Sequence, residues 1–181
     1  GTLTGHESRV KALAAISDHK PDAPALLVSG GDDCYVKVWD LGTNECIRTI
    51  ESHTHFVMDL TVCQQLKGDG SGEQEYVIIS SSSDKTVLAH HIDDAERHGR
   101  IGGHGQSDVT SLLFVAGSHS DDKKDKHHQD PILCSGNAEG NILVYSVEHI
   151  FNALSSAGGE VAPMCSLQGH RAKVTGLCIS N

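Results

Sequence analysis

The stretch SGGDDCYVKVWD, residues 29–40, contains the only tryptophan of the chain and decides the fold. A turn rich in glycine and aspartate leads into alternating apolar residues, Val36 and Val38, and the run stops at an acid. Polar turn residues followed by a period-two alternation are typical of a tight turn that enters a half-buried β-strand. The stretch therefore predicts a hairpin, and the next question is whether the same unit recurs.

The spacing of serine, acid and ring residues in this stretch returns twice more along the chain. Ser29, Asp33 and Trp39 are four and six residues apart, and the stretches SSSSDKTVLAHHID (80–93) and SGNAEGNILVYSV (135–147) keep those distances. The corresponding residues are Ser80, Asp84 and His90 in the second stretch and Ser135, Glu139 and Tyr145 in the third. A unit that returns about every 50 residues indicates a repeat architecture.

A second recurring segment leads into each unit. Its four copies are GHESRVKAL (5–13), SHTHFVMDL (52–60), GHGQSDVTSL (103–112) and GHRAKVTGL (169–177). A valine stands four residues after the histidine in three copies, but five residues after His104, so that copy carries an insertion or a shifted histidine. Short alternating runs bounded by Gly, Ser and Asp predict antiparallel strands, and the chain is therefore predicted to be all-β.

Taken together, the pattern GH…SG.D…VWD resembles the repeats of WD40 β-propellers over nearly the whole chain. The resemblance implies four-stranded antiparallel blades at about 6–50, 53–101 and 104–167, with the start of a fourth at about 170–181. The expected strands lie near 10–16, 25–30, 35–40 and 45–50, near 56–62, 75–80, 86–92 and 97–101, near 109–115, 131–135, 141–147 and 162–167, and at 174–179. One or two helical turns are expected within 146–156.

In this family a histidine, a serine, an aspartate and a tryptophan form a hydrogen-bonded set inside each blade. The resemblance implies the structural sets His6–Ser29–Asp33–Trp39, His53–Ser80–Asp84–His90 and a degraded His104–Ser135–Glu139–Tyr145. The side chains are matched, because the carboxylate accepts, the hydroxyl and neutral imidazole do both, and the indole donates. The same residue types also suggest a Ser-His-Asp hydrolase. A catalytic triad occurs once, whereas this set recurs, so we interpret it as architecture and assign no catalytic residue.

The charge balance argues against partners that need a basic protein. The chain has 14 basic and 24 acidic residues, a formal charge of −10, so neither nucleic acid nor an anionic membrane is an expected partner. The sequence contains no apolar run long enough to span a bilayer and no signal peptide at its start, so we expect no membrane insertion and a cytoplasmic, intracellular location. The six cysteines form no CxxC pair and are predicted to be small buried hydrophobes without disulfides.

The loops that follow each predicted first strand differ in length. They cover 17–24, 63–74 and 116–130, and the segment 118–129 is predicted to be the most mobile. His127 and His128 stand there among charged residues, without the rigid convergent frame of a metal site. We therefore predict no metal and no cofactor.

Three blades and one strand do not close a ring, since propellers contain about four to eight blades. We expect the chain to be part of a seven-bladed domain. The alternative is a homodimer in which two copies build one ring.

The expected function is that of a non-catalytic scaffold, which binds peptides or protein domains on one face of the propeller. One alternative is a targeting or regulatory domain of a larger enzyme, such as a motor, kinase or ubiquitin-ligase component. A structural propeller in a large assembly is the other. Fold alone does not identify the partner.

In propellers of this kind, partner contacts come from residues three and five positions after each histidine and from the residue before the acid. Carried over by position, the candidates are Arg9, Lys11 and Asp32, then Phe56, Met58 and Ser83, then Ser107 or Asp108, Thr110 and Ala138, and finally Lys173 and Thr175, with Arg171 nearby. Basic residues beside the apolar Phe56 and Met58 favour an acidic or phosphorylated peptide with a hydrophobic anchor. The alternative is that Phe56 and Met58 pack on a neighbouring blade and the bases are ordinary surface charges.

Overall fold

Three antiparallel sheets make up most of the computed structural model, which describes residues 1–17, 24–66, 71, 73–94, 97–117, 130–155 and 159–179. The first sheet contains β1 (Val10–Ile16), β2 (Leu26–Gly31), β3 (Val36–Asp40) and β4 (Glu45–Ile50). The second contains β5 (Val57–Leu66), β6 (Gln74–Ser82), β7 (Val87–His91) and β8 (His98–Ile101). The third is built from β9 (Val109–Val115), β10 (Ile132–Asn137), β11 (Ile142–Ser146) and β13 (Cys165–Leu167). The prediction of four-stranded antiparallel blades is confirmed, although β5 and β6 extend into the predicted loop 63–74.

The sheets pack face to face, and β6 shows how one strand serves two cores. Its residues alternate between the two faces of the second sheet, as strand geometry requires. Tyr76 and Ile78 join a buried cluster with the first sheet, whereas Val77 and Ile79 join a second cluster with the third sheet. Because β6 is covered on both faces, it is almost continuously apolar or small rather than alternating.

The connection from β11 to β13 contains a helix and an additional short strand. Helix α1 (Val147–Ser155) is longer than the one or two turns expected. Its buried residues, Val147, Ile150, Phe151 and Leu154, follow the i, i+3, i+4, i+7 spacing of an amphipathic helix. The strand β12 (Glu160–Val161) then pairs in parallel with β8 of the second sheet. This connection therefore joins the outer parts of the second and third sheets.

The predicted strand at 174–179 is wrong, because these residues form no strand pairing. Val174 is buried and its N–H donates to the carbonyl of Asn137 at 3.0 Å. A strand forms only against a hydrogen-bonding neighbour, and none of the described residues pairs with 175–179.

The prediction that the cysteines are buried is also wrong for half of them. Cys63 is fully buried, but Cys46, Cys165 and Cys178 are exposed. Cys46 lies on β4 and Cys165 on β13, the outer edge strands of their sheets, where side chains meet solvent. All six sulfurs are free.

Two predictions on loops and histidines concern parts of the chain outside the described residues. These are the segment 118–129 with His127 and His128, and most of the loop 17–24. Within the described part of the chain, α1 is too short to cross a membrane.

The tight turn after each central strand uses a left-handed backbone conformation at the residue that follows the acid position. That residue is Cys34 (φ 70°), Lys85 (φ 72°) and Gly140 (φ 90°) in the three sheets. A side chain in this region costs energy that glycine avoids. The repeat is therefore visible in the backbone as well as in the sequence.

Replacing Gly140 with alanine is expected to destabilise the chain by about 1–3 kcal/mol, because a side chain there would be strained. The added Cβ would also lie 2.6 Å from the carbonyl oxygen of His170. Cys34→Gly at the equivalent turn is expected to be neutral or to stabilise by up to about 1 kcal/mol. Urea unfolding of both variants checks this, and equal midpoints would contradict it.

Candidate functional site

The first predicted set forms a continuous chain of hydrogen bonds across the first sheet. The indole Nε1 of Trp39 donates to Ser29 Oγ at 2.8 Å, and Ser29 Oγ lies 2.7 Å from His6 Nε2. His6 Nδ1 donates to Asp33 Oδ2 at 2.7 Å. The four side chains nominated from the sequence are thus brought together, and Asp33 also accepts the backbone N–H groups of Glu7 and Tyr35.

The second set contains three of its four predicted members. His53 Nδ1 donates to Asp84 Oδ2 at 2.9 Å and its Nε2 lies 2.8 Å from Ser80 Oγ. His90 does not join them, because its Nε2 lies 3.0 Å from Ser52 Oγ instead. Imidazole is shorter than the indole it replaces, which accounts for the different partner. Thr86 supplies a further contact, with Oγ1 3.1 Å from His53 Nδ1.

The third set lacks its acid. His104 Nε2 lies 2.8 Å from Ser135 Oγ and 3.1 Å from the hydroxyl of Tyr145, which donates to the carbonyl of Gly102. Glu139 is exposed, so its predicted place in the set is wrong. Asn137 was not among the residues predicted from the sequence, and its Oδ1 accepts the N–H groups of residues 139 and 141. An asparagine at a tight turn was the available signal.

The serines of these sets are inaccessible to any substrate. Ser29, Ser80 and Ser135 are at most 2 % exposed. Ser29 already accepts the Trp39 N–H. A nucleophile must reach the substrate carbonyl, so these three residues hold the sheets together rather than perform hydrolysis.

Hydrogen bonding and burial shift the pKa values of the ionisable side chains in and beside these sets in opposite directions. Burial favours a neutral Asp84, but hydrogen bonds from Thr86, Thr54 and His53 prevail and lower its pKa to about 2. For His90 and His104 burial prevails and lowers the pKa of each to about 4. At neutral pH Asp84 is therefore ionised and the imidazoles of His90 and His104 are neutral.

Stability is expected to fall as the pH drops from about 6.5 to about 4. The unfolded chain binds protons at His90 and His104 near pH 6.5, whereas the folded chain binds them only near the lowered pKa of about 4. Between these two pH values the unfolded state holds more protons than the folded state. The free energy of unfolding therefore decreases, by about 2 kcal/mol or more in total. Urea unfolding at pH 7.0, 5.5 and 4.5 checks this. His90→Gln should show a flatter pH dependence, and an unchanged profile would contradict the assignment.

A β-bulge near the start of each first strand turns one side chain out of the ladder. Pairing skips Lys11 between Val10 and Ala12, Met58 in β5, and Thr110 in β9. These are the positions five residues after each histidine, or six in the third repeat. Bulges commonly re-aim a side chain next to functional sites, and this geometry was not foreseen from the sequence.

Five of the nominated partner-binding residues form one cluster at the boundary between the first two sheets. Lys11 Nζ lies 3.0 Å from Asp32 Oδ1, 3.5 Å from Met58 Sδ and 5.0 Å from the centre of the Phe56 ring. Arg9 Nε donates to Asp32 Oδ2 at 3.1 Å. We call Arg9, Lys11, Asp32, Phe56 and Met58 the rim cluster. It combines ion pairs with an apolar spot, and Phe56 is 39 % exposed.

The other nominated residues are outside this cluster. The Asp32 N–H donates to the Arg9 carbonyl, and the Ser83 N–H donates to the Phe56 carbonyl. In the third repeat the Ala138 N–H donates to the Asp108 carbonyl, so Asp108, and not Ser107, is equivalent to Arg9 and Phe56. Thr110 is buried and its hydroxyl bonds the carbonyls of Gly136 and Val174, so it offers no partner contact. The exposed residues include Arg171, Lys173 and Thr175.

Three consecutive sheets, each with four antiparallel strands and a hydrogen-bonded histidine–serine pair, pack face to face and define a segment of a β-propeller. Residues 1–40 match the family model for the WD domain, G-beta repeat. The fold and this match support a WD40-repeat β-propeller.

Similar proteins share these repeats over part of their length. The Nuclear distribution protein PAC1 of Arthroderma otae is 40 % identical over 62 residues, 33 % of this chain and 13 % of that protein. The EARP-interacting protein homolog of Gekko japonicus is 27 % identical over 144 residues, 78 % of this chain and 34 % of its own length. DDB1- and CUL4-associated factor 13 of Mus musculus is 33 % identical over 113 residues, which are 51 % of this chain and 24 % of that protein. The matches therefore span about a third of these relatives or less.

A solved structure shows the same fold. The computationally designed Ika4 protein has a TM-score of 0.62 and 27 % sequence identity, over 99 % of this chain and 85 % of the designed one.

Proposed function

We propose that the chain is a non-catalytic scaffold that binds protein or peptide partners through the rim cluster. The observation that carries this proposal is the position of Lys11, which leaves the ladder at a bulge and contacts Phe56 and Met58 of the next sheet. A partly exposed aromatic ring beside oriented charges is the composition typical of an interaction hot spot.

The names of the similar proteins support a protein partner. One is called EARP-interacting and another is a DDB1- and CUL4-associated factor. The second name also favours a second candidate function, that of a regulatory component in a larger enzyme or assembly. The free sulfurs support an intracellular location.

The exposed face of the first sheet supports a larger ring. Val10 and Leu13 are 43 % and 62 % exposed, whereas their equivalents in the second sheet, Val57 and Leu60, are 0 % and 5 % exposed. Val174 packs on Gly136 of the third sheet as Val57 packs on Gly30 of the first, so this chain itself occupies the position that follows the third sheet. We therefore favour further blades of one seven-bladed ring over the homodimer.

Charge reversal of the rim cluster tests the proposed function. Arg9→Glu with Lys11→Glu is expected to weaken binding to an anionic peptide partner at least about tenfold and to reduce its salt dependence. The control is Arg100→Glu on β8 with Lys37→Glu on β3, which changes the net charge by the same amount away from the rim cluster. Anisotropy titration at two salt concentrations measures both. Equal affinities for the rim variant and the control would reject this surface.

A further inference from the structure

Asp32 lies between the two cations of the rim cluster. Its Oδ2 accepts from Arg9 Nε at 3.1 Å and its Oδ1 lies 3.0 Å from Lys11 Nζ. The side chain is only 9 % exposed, and the Asp32 N–H donates to the Arg9 carbonyl at 2.8 Å. Backbone and side-chain contacts together hold this carboxylate in place.

The two cations differ in their access to solvent. The Arg9 side chain is 79 % exposed, whereas that of Lys11 is 25 % exposed and faces the Met58 sulfur and the Phe56 ring. The bond to Asp32 uses Arg9 Nε, which leaves the terminal nitrogens of the guanidinium on the solvent side. An incoming anion therefore meets Arg9 first and has the negative charge of Asp32 close behind it.

The ion pairs reduce the charge that a ligand experiences. Two cations and one carboxylate leave one net positive charge in the trio. A single carboxylate gains little from one exposed charge. A phosphate monoester carries about −1.5 to −2 charges and presents several oxygens to the guanidinium fork, so its attraction is roughly doubled.

We propose that Asp32 is an internal counter-ion that lowers the affinity of the rim cluster for all anionic peptides, so that only a phosphate-bearing peptide segment, with its larger charge, binds appreciably. The proposal rests on the proposed function, since it concerns the same surface. It assigns Asp32 a role in setting how tightly any anionic ligand binds rather than in contacting it.

Peptide libraries that differ at one central residue test this role. Each contains a fixed leucine after a central phosphoserine, aspartate or serine, and binding is measured by anisotropy at matched ionic strength. The variants are Asp32→Asn, Asp32→Ser and Arg9→Glu with Lys11→Glu, with Glu45→Gln as a control that removes one exposed negative charge elsewhere. Circular dichroism melting verifies that each variant is folded, and Asp32→Ser provides the readout if Asp32→Asn is not.

Wild-type chain is expected to bind the phosphoserine library and to bind the other two weakly. Asp32→Asn should tighten the aspartate library about threefold and the phosphoserine library about tenfold, because the second ligand carries about twice the charge. The serine library and the Glu45→Gln control should not change. If charge reversal abolishes phosphopeptide binding but Asp32→Asn leaves both anionic libraries unchanged, the role of Asp32 is overturned while the rim cluster stands. If no library distinguishes wild type from charge reversal, the proposed function fails as well.

Discussion

Replacing Phe151 with alanine is expected to destabilise the chain by about 3–5 kcal/mol, as large-to-small changes at buried aromatic residues do. Phe151 is 1 % exposed and belongs to the cluster that contains residues of the second and third sheets. Its loss would leave a cavity where α1 covers the outer strands. Urea unfolding measures the effect directly.

The matched control lies on the opposite face of the same helix. His149 is exposed, so His149→Ala is expected to change the free energy of unfolding by no more than about 0.5 kcal/mol. Similar losses for the two variants would mean that α1 affects stability through helix propensity rather than through packing between sheets.

Asp33→Ala is expected to cost about 1–3 kcal/mol, because it leaves three donors of its hydrogen-bonded set without their acceptor. Those donors are His6 Nδ1 and the backbone N–H groups of Glu7 and Tyr35. The same change at Glu139, whose side chain is exposed, should cost at most about 0.5 kcal/mol. Equal shifts in melting temperature for the two alanine variants would contradict the distinction between these sets.

The strands were predictable because their signals are local. A short apolar run identifies β2 and an alternating run identifies β3, each beside turn residues and without any knowledge of the partner strand, and β1 begins and ends as predicted. The segment 174–179 has the same local signal but forms no strand. Pairing depends on a neighbour elsewhere in the chain, and a local pattern contains no information about that neighbour.

The hydrogen-bonded sets show where position fails to predict geometry. His90 occupies the position equivalent to Trp39 but bonds Ser52, since side-chain length decides which hydroxyl it meets. Glu139 occupies the position equivalent to Asp33, yet Asn137 caps that turn. Chemical type and spacing predicted the serines and the leading histidines, His6, His53 and His104, correctly, because those side chains are identical in all three repeats.

The rim cluster was predictable from sequence position only in part, and its contacts depend on the three-dimensional geometry. Family resemblance singled out Arg9, Lys11 and Asp32 by position, but the bulge that directs Lys11 toward Phe56 requires the register of two paired strands. The ion pairs of Asp32 with both cations followed only from the side-chain geometry. Because of these ion pairs, the rim cluster has one net positive charge instead of the two that Arg9 and Lys11 alone would give.

Hydrogen–deuterium exchange with the tightest phosphoserine peptide from the library tests most directly where partners bind. The account predicts slower exchange confined to the backbone around 8–11, 31–33 and 55–59, which surrounds the rim cluster, with no change in β4 or α1. Protection of β4, α1 or the exposed face of β1 instead, with the rim cluster unaffected, would contradict the central claim that this chain binds its partners through the rim cluster.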